Sequence, residues 1–256
     1  MSDERRKLHD AVHKRNEILD ILVDDPKTKA ELIDICSKSR STVDRGLELL
    51  QEVECVEYGD GKYHTTPKGE IALTAYSRYT DTINNIQKSG RLLNTFPNEN
   101  SLNSRFIHEM DVHQADPKIP DLALEPIREI LRESTRLLGL VPTVHLSYTR
   151  VIEDAINQSE TSVELIIEDH LFSTLQNTNA YEFDRILDND RTSIQIYNGA
   201  LPYSLWIMTS ENDTYAGIIV HKDGGIKGVL INNTSEAISW TRNVYEHYKN
   251  EATIEQ

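Results

Sequence analysis

The first third of the chain carries apolar residues with helical periodicity. They recur at mostly three- and four-residue intervals at Leu8, Val12, Ile18, Leu19, Ile21 and Leu22. This spacing places them on one face of a helix, which Asp24-Asp25-Pro26 ends. A second, short helix follows with Thr28 as its N-cap. The pattern predicts a third helix over residues 39–50, where Ser41 and Asp44 have the spacing of a capping box.

Two short strands and a long helix are expected next. Residues 54–58 and 62–66 flank Gly59-Asp60-Gly61, and an Asp-Gly pair tolerates the positive φ angles that a tight hairpin turn requires. Apolar and aromatic residues then continue at helical spacing from Ile71 to about Leu93. Three helices, a hairpin and a further helix predict a winged helix-turn-helix domain.

Residues 29–66 resemble the winged helix-turn-helix regulators of bacteria and archaea, including the small-residue entry Ser39-Arg40-Ser41-Thr42. The resemblance implies that the third helix enters the major groove of promoter DNA, with Arg40 and Arg45 reading bases. Hydroxyl groups and lysines would contact phosphates. The predicted DNA-binding residues are Lys29, Lys38, Ser39, Arg40, Ser41, Thr42, Arg45, Lys62 and His64. An adaptor that uses a winged helix for protein contacts, without DNA binding, remains the alternative.

The pattern beyond residue 95 mixes helices with strands. Residues 120–138 are predicted to form one helix or two short ones, ended by Gly139, and further helices are predicted over residues 148–156, 170–176, 181–187 and 235–248. Predicted strands cover residues 162–167, 193–197, 204–209, 215–221 and 228–232. The expected fold class is therefore α+β: an N-terminal winged helix-turn-helix domain plus a C-terminal α/β layered domain with a mixed sheet.

This second part is similar to the middle domain of archaeal, haloarchaeal-type regulators related to methanogenesis regulatory proteins. The similarity is carried by residues 163–168, 202–207, 237–240 and 245–248. It implies a transcription regulator whose second domain is regulatory rather than catalytic. In related regulators the helix after the wing forms a dimer seam, so the resemblance implies a homodimer; packing of that helix within its own domain is the alternative.

The charge distribution changes how the composition is interpreted. The chain has 256 residues and a net charge of −15, which by itself argues against a polyanionic partner. Residues 1–95 hold only −2 of this charge, and residues 96–256 hold −13. The segment from Lys27 to Arg45 contains five basic residues and three acidic ones. The predicted DNA-binding surface is therefore locally positive within an acidic protein.

The change in charge coincides with a polar stretch, residues 94–101, which contains a proline and three asparagines. We therefore expect a winged helix domain with its following helix over residues 1–95 and a regulatory domain over residues 96–256. The second domain is expected to serve dimerisation, the sensing of a small-molecule metabolite, or both. A ligand cleft is predicted near strand and helix ends, at His145, Tyr148, Asp169, His170, Tyr197 and Tyr203.

The sequence provides no catalytic motif. It lacks a nucleophile elbow, a phosphate-binding loop and a zinc-protease motif. His221-Lys222-Asp223 lacks the spacing used by phospholipase-type enzymes, and is interpreted as a polar hairpin edge. The group around His108 to His113 is interpreted as a charged loop, with a metal site as the alternative. We expect no enzymatic activity, no cofactor and no metal.

The remaining expectations concern location and cysteines. No apolar run approaches the roughly 18 residues needed to span a membrane, and the charged first ten residues do not resemble a secretory signal. A cytoplasmic protein is expected. Cys36 and Cys55 are too few for a disulfide framework, and both are predicted to be buried thiols.

Overall fold

The chain divides into two compact units, residues 1–81 and 82–256. The structure is a computed structural model. It describes residues 3–96, 102–144, 146–158, 160–177, 185–187, 189–222 and 224–254.

The division lies fourteen residues before the predicted boundary, inside the helix Pro67–Ser89. The end of this helix belongs to the second unit, since Asn85 is buried and donates a hydrogen bond to the Ile107 carbonyl at 3.0 Å. Leu92 is likewise buried in the core of the second unit. The polar stretch at residues 94–101, which suggested a linker, therefore comes after the division between the two units. Residues 97–101 lie outside the described residues.

The first unit has the predicted order of helices and hairpin. Its elements are α1 (Asp3–Asp24), α2 (Lys29–Cys36), α3 (Arg40–Glu52), β1 (Val56–Gly59), β2 (Lys62–Thr65) and the first part of α4 (Pro67–Ser89). Its core combines Leu19, Leu32, Val43, Leu47 and Leu50, which are buried at the predicted helical spacing. Cys36 and Cys55 are free and buried, which confirms the prediction for both thiols, and burial raises the pKa of each.

Two caps determine where α2 and α3 begin. Thr28 forms a complete capping box with Glu31, which confirms Thr28 as the N-cap of α2. The N-cap of α3 is Ser39, whose Oγ accepts from the Thr42 backbone N–H at 3.3 Å. The predicted capping box of Ser41 and Asp44 is wrong, because α3 already begins at Arg40.

The hairpin closes with a two-residue turn. Asp60 and Gly61 have φ angles of 52° and 82°, the positive values that the Asp-Gly pair predicted. Register is set by Gly59 opposite Lys62 and Tyr58 opposite Tyr63. The Tyr63 backbone also exchanges two hydrogen bonds with Lys27, so the segment before α2 pairs with the wing.

The second unit contains an eight-stranded mixed sheet. Its helices are α5 (Ser104–Ile107), α6 (Glu125–Glu133), α7 (Leu146–Gln158), α8 (Asp169–Asn177) and α9 (Ser235–Glu251). Its strands are β3 (Asp111–Gln114), β4 (Arg136–Val141), β5 (Ser162–Glu168), β6 (Thr192–Tyr197), β7 (Ser204–Thr209), β8 (Thr214–Lys222), β9 (Gly225–Asn232) and β10 (Thr253–Ile254). The strand order is β10-β6-β5-β4-β7-β8-β9-β3, with β4, β5 and β6 parallel.

The sheet separates two apolar layers. One layer packs residues of α6, α7 and α8 against one face of the sheet, around Leu165 and Trp206. The other packs α5 and α9 against the opposite face, around Phe106 and Tyr245. Helices on both faces of a mixed sheet confirm the expected layered α+β fold.

Two sequence predictions in this unit are corrected. Leu137 and Leu138 lie in the central strand β4 rather than at the end of a helix, because a short apolar run buried on both faces has no periodicity that separates strand from helix. Residues 111–114 form the edge strand β3, paired with β9, and not a loop. Of the predicted helix 181–187, residues 185–187 are helical and residues 181–184 lie outside the described residues.

Candidate nucleic-acid interface

Helix α3 exposes two arginines to solvent. Val43, Leu47 and Leu50 are buried, which leaves Arg40 and Arg45 exposed. Neither arginine has an ion-pair partner among the described residues. Their guanidinium groups therefore keep the donors that a base edge or a phosphate would accept.

A groove lies between the start of α3, the helix α2 and the wing. Its volume is about 430 Å³, and its lining includes Lys29, Arg40, Tyr58 and Tyr63. The groove combines two cationic side chains with two aromatic rings. Positive charge suits a phosphate backbone, and an exposed ring provides a flat apolar surface.

Tyr58 was not among the DNA-binding residues predicted from the sequence. Its side chain is 59% exposed, and its ring centroid lies 4.9 Å from that of Tyr63 on the opposite strand. The alternation of aromatic and charged residues along the two strands was the available signal, since directly paired strand positions place their side chains on the same face.

The hydroxyl groups at the start of α3 contact one another. Ser39 Oγ lies 3.1 Å from Ser41 Oγ and 2.8 Å from Thr42 Oγ1. Ser39 and Ser41 are exposed and Thr42 is half-buried. The hydroxyls that are predicted to contact phosphates therefore belong to a group that already caps α3 through Ser39.

Two of the predicted lysines are paired with carboxylates. Lys29 Nζ lies 2.7 Å from Asp44 Oδ1, and this partner raises the pKa of Lys29. Lys38 forms an ion pair with Glu17. Lys62 is exposed and has no ion-pair partner among the described residues. Of the lysines and arginines predicted to bind DNA, Arg40, Arg45 and Lys62 are therefore the ones without an ion-pair partner among the described residues.

The predicted contact His64 lies within the hairpin. Its side chain is half-buried, and Nε2 lies 3.2 Å from the Gly59 carbonyl oxygen, which is the acceptor. The imidazole thereby links the two strands of the wing. A DNA contact by His64 remains a prediction.

Four of the six residues predicted to form a ligand cleft have described side chains, and a cleft formed by them remains a prediction. Asp169 and His170 are exposed at the start of α8. The Tyr197 ring packs against Tyr248, with centroids 5.2 Å apart. Tyr203 is buried beside Phe96 and lines a cavity of about 160 Å³; burial raises its pKa. His145 and the side chain of Tyr148 lie outside the described residues.

The described residues form neither a metal site nor a membrane-spanning helix. No group of three His, Cys, Asp or Glu residues is placed to hold a metal ion there. Over the same residues, no helix has the length and apolar character needed to cross a membrane.

Comparison with solved structures gives only distant similarities. TrmBL2, an archaeal chromatin protein, matches with a TM-score of 0.41 and 11% identity over 92% of this chain and 91% of its own. NucT from Helicobacter pylori matches with a TM-score of 0.45 and 11% identity over 57% of this chain and 99% of its own. Similarities at this level carry no functional argument. No curated protein matches the chain.

Protein families give a closer match. Residues 3–88 match the HVO_A0261 N-terminal domain. Residues 120–251 match the middle domain of the methanogenesis regulatory protein FilR1, which confirms the resemblance seen in the sequence. This second match covers more than half of the chain. The protein therefore belongs to the family of the FilR1 middle domain.

Proposed function

We propose that this protein is a DNA-binding transcription regulator of the archaeal type. The observation that carries the proposal is the exposure of Arg40 and Arg45 on α3, without carboxylate partners among the described residues, in a winged helix. Membership in a family named for a regulatory protein supports the same role.

Helix α3 is suited to act as the recognition helix. An α-helix fits the major groove, where an arginine presents two parallel donors to a guanine edge. Arg40 is the first residue of α3, and recognition helices of this class contact bases with their N-terminal residues. Lys62, next to the turn of the wing, is proposed to contact a phosphate.

The protein is proposed to act as a homodimer. Helix α4 carries exposed apolar side chains in the first unit, with Ile71 at 72% and Tyr79 at 59% exposure, eight residues apart and so on one helical face. Ile83 and Ile86 are exposed farther along the helix. A second copy that covers such residues would place two recognition helices about 34–36 Å apart and select a pseudo-palindromic site.

The second unit is proposed to regulate this binding, by dimerisation or by sensing a metabolite in the cytoplasm. The layered fold with helices on both faces of its sheet supports a regulatory role, and such folds commonly hold ligands at strand ends. The proposed role includes no catalytic step, because the sequence contains no known nucleophile or phosphate-binding motif.

A protein-interaction adaptor is the second candidate. The ion pairs of Lys29 with Asp44 and of Lys38 with Glu17 favour it, since they reduce the positive charge available to phosphates. Selection from random duplex oligonucleotides with the full chain, at several salt concentrations, separates the two candidates. The proposed function predicts enrichment of a pseudo-palindromic sequence at low salt. Absence of enrichment at every salt concentration would favour the adaptor.

A further inference from the structure

The edge strand β3 leaves one side of its backbone without a strand partner among the described residues. It pairs with β9 on its other side and is the last strand of the sheet. Its four residues, Asp111 to Gln114, are exposed or half-buried. An open edge offers a row of N–H and C=O groups to a further strand, so natural edges are commonly protected by lysine, proline or a bulge. The strand β3 contains no lysine or proline and keeps a regular register with β9.

The pairing with β9 determines which backbone groups of β3 point outward. Just beyond the strand, the Ala115 N–H donates to the Lys227 carbonyl oxygen at 2.9 Å, in the same register as the strand itself. Successive positions of an antiparallel pair alternate between hydrogen-bonded and non-hydrogen-bonded. The backbone N–H and C=O of His113 therefore point at β9, whereas those of Val112 point at the open edge.

The side chains of β3 divide between the two faces of the sheet. Val112 packs against the apolar layer that contains α5 and α9. Alternate residues of a strand point to opposite faces, so Asp111 and His113 lie on the other face. Ala115, at the next such position, packs against the layer on that face. Neither Asp111 nor His113 has an ion-pair partner among the described residues.

This edge is complementary to a second copy of itself in one antiparallel register. A two-fold axis at Val112 sets that residue opposite its own copy, where the outward N–H and C=O groups of the two copies exchange two hydrogen bonds. In the same register, Asp111 of each copy lies opposite His113 of the other, so a carboxylate meets an imidazole N–H twice. With the axis at His113 instead, the two imidazoles would oppose each other and Asp111 would face Ala115, which loses both pairs.

We propose that β3 pairs with β3 of a second copy in the register centred on Val112, so that two eight-stranded sheets continue into one. Exposed apolar side chains follow the strand directly, with Ile119 at 55% and Leu122 at 56% exposure. The Ile119 N–H donates to the Asp116 carbonyl oxygen at 3.1 Å, so the chain turns back just after β3. The contact lies wholly in the second unit, and so goes beyond the homodimer proposed through α4.

The first test is disulfide cross-linking of the full chain. Val112→Cys places two thiols at directly opposite positions, whose Cα atoms would lie about 5.5 Å apart, within the range that a disulfide spans. Gln114→Cys is the matched control, because this register separates its two copies by four residues, or about 14 Å. Both native cysteines are buried. Under mild oxidation we expect Val112→Cys to form the linked dimer about tenfold faster or more. Equal rates in the two variants would overturn the proposal.

The second test exchanges the paired side chains. His113→Asp sets two carboxylates opposite each other in both pairs and should weaken association about two- to thirtyfold, the range expected for two cross-strand pairs. The double variant Asp111→His with His113→Asp exchanges the two residues and should restore the affinity. Sedimentation velocity over a series of concentrations measures each affinity. An unchanged affinity in His113→Asp, or no recovery in the double variant, would overturn the pairing of Asp111 with His113.

Both tests are made in a Tyr79→Glu background, which introduces a charge into the α4 surface of the proposed homodimer. We expect association through β3 to persist in this background. If Tyr79→Glu associates as strongly as the unmodified chain, the homodimer through α4 fails and the contact through β3 stands. If Tyr79→Glu stays monomeric at every concentration, the contact through β3 is overturned and the homodimer through α4 stands.

Discussion

Lys29 Nζ lies 2.7 Å from Asp44 Oδ1, so a lysine in the groove beside the wing is paired with a carboxylate of α3. The two residues are fifteen positions apart, and the turn between α2 and α3 brings them together. This ion pair places a negative charge near the proposed phosphate contacts. The carboxylate of Asp44 therefore limits how strongly the surface around α3 and the wing attracts a polyanion such as DNA.

Asp44→Asn should strengthen DNA binding. Removal of the carboxylate releases Lys29 to contact a phosphate, which adds at most about one unit to the slope of log affinity against log salt. Fluorescence anisotropy of a labelled duplex over a series of salt concentrations measures both quantities. Asp20→Asn on α1 makes the same charge change at an exposed position and is the control. If Asp44→Asn bound the duplex more weakly than this control, the ion pair of Lys29 with Asp44 would not be what weakens DNA binding.

Lys62→Ala should weaken binding to all duplexes by a similar factor. A lysine at the wing that contacts a phosphate contributes charge but no base readout, so its loss reduces the salt slope by about 0.9. Lys118→Ala removes one positive charge from an exposed position in the second unit and should leave the slope unchanged. If Lys62→Ala left the slope of log affinity against log salt unchanged, the wing would not contact DNA through Lys62.

Gly69→Ala should destabilise the first unit. A Cβ at this position would lie 2.2 Å from the backbone oxygen of Cys55, so α4 would have to move away from the wing. We expect a loss of about 1–3 kcal/mol, the usual cost of overpacking. Urea denaturation followed by far-UV circular dichroism measures it. Gly59→Ala is the control, since its Cβ would meet no atom within 4 Å; equal stability of the two variants would contradict the packing.

Glu164 should make the second unit sensitive to acid. Burial raises the pKa of this carboxyl, but hydrogen bonds from Lys249, Tyr245 and Arg136, together with the charge of Lys249, outweigh burial and hold the pKa below its ordinary value. A lowered pKa stabilises the fold above the unfolded-state value of about 4.3, and this stabilisation is lost as the pH falls below it.

The corresponding variant is Glu164→Gln, which keeps the shape of the side chain without its charge. At neutral pH we expect a loss of about 1–3 kcal/mol, since hydrogen bonds to charged groups contribute this much. The difference from the unmodified protein should shrink as the pH falls from about 5 to 3. Urea denaturation at each pH measures it, and a difference that stays constant with pH would exclude the carboxylate as the cause.

The winged helix could be predicted because its signals are local. Periodic apolar residues such as Val43 and Leu47 define α3, and Asp60-Gly61 identifies the turn of the wing. Local signals also show that Arg40 and Arg45 are exposed. They do not reveal that Lys29 meets Asp44, because that pair depends on how two helices pack.

The second unit was less predictable for a related reason. The strand β4 is buried on both faces, so Leu137 and Leu138 have no alternation that distinguishes a strand from a helix. The row in which Trp206 pairs with Gly139 on one side and with Gly217 on the other forms only when three strands pair in register. The predicted ligand residues followed from their positions at element ends, and a cleft formed by them remains a prediction.

We propose that α3 reads DNA through its two exposed arginines. Anisotropy titrations of the selected duplex with Arg40→Ala and Arg45→Ala measure this directly. We expect each variant to lose about 1–3 kcal/mol of binding free energy on the selected sequence and much less on a scrambled duplex. Unchanged affinity of both variants for the selected sequence would contradict it.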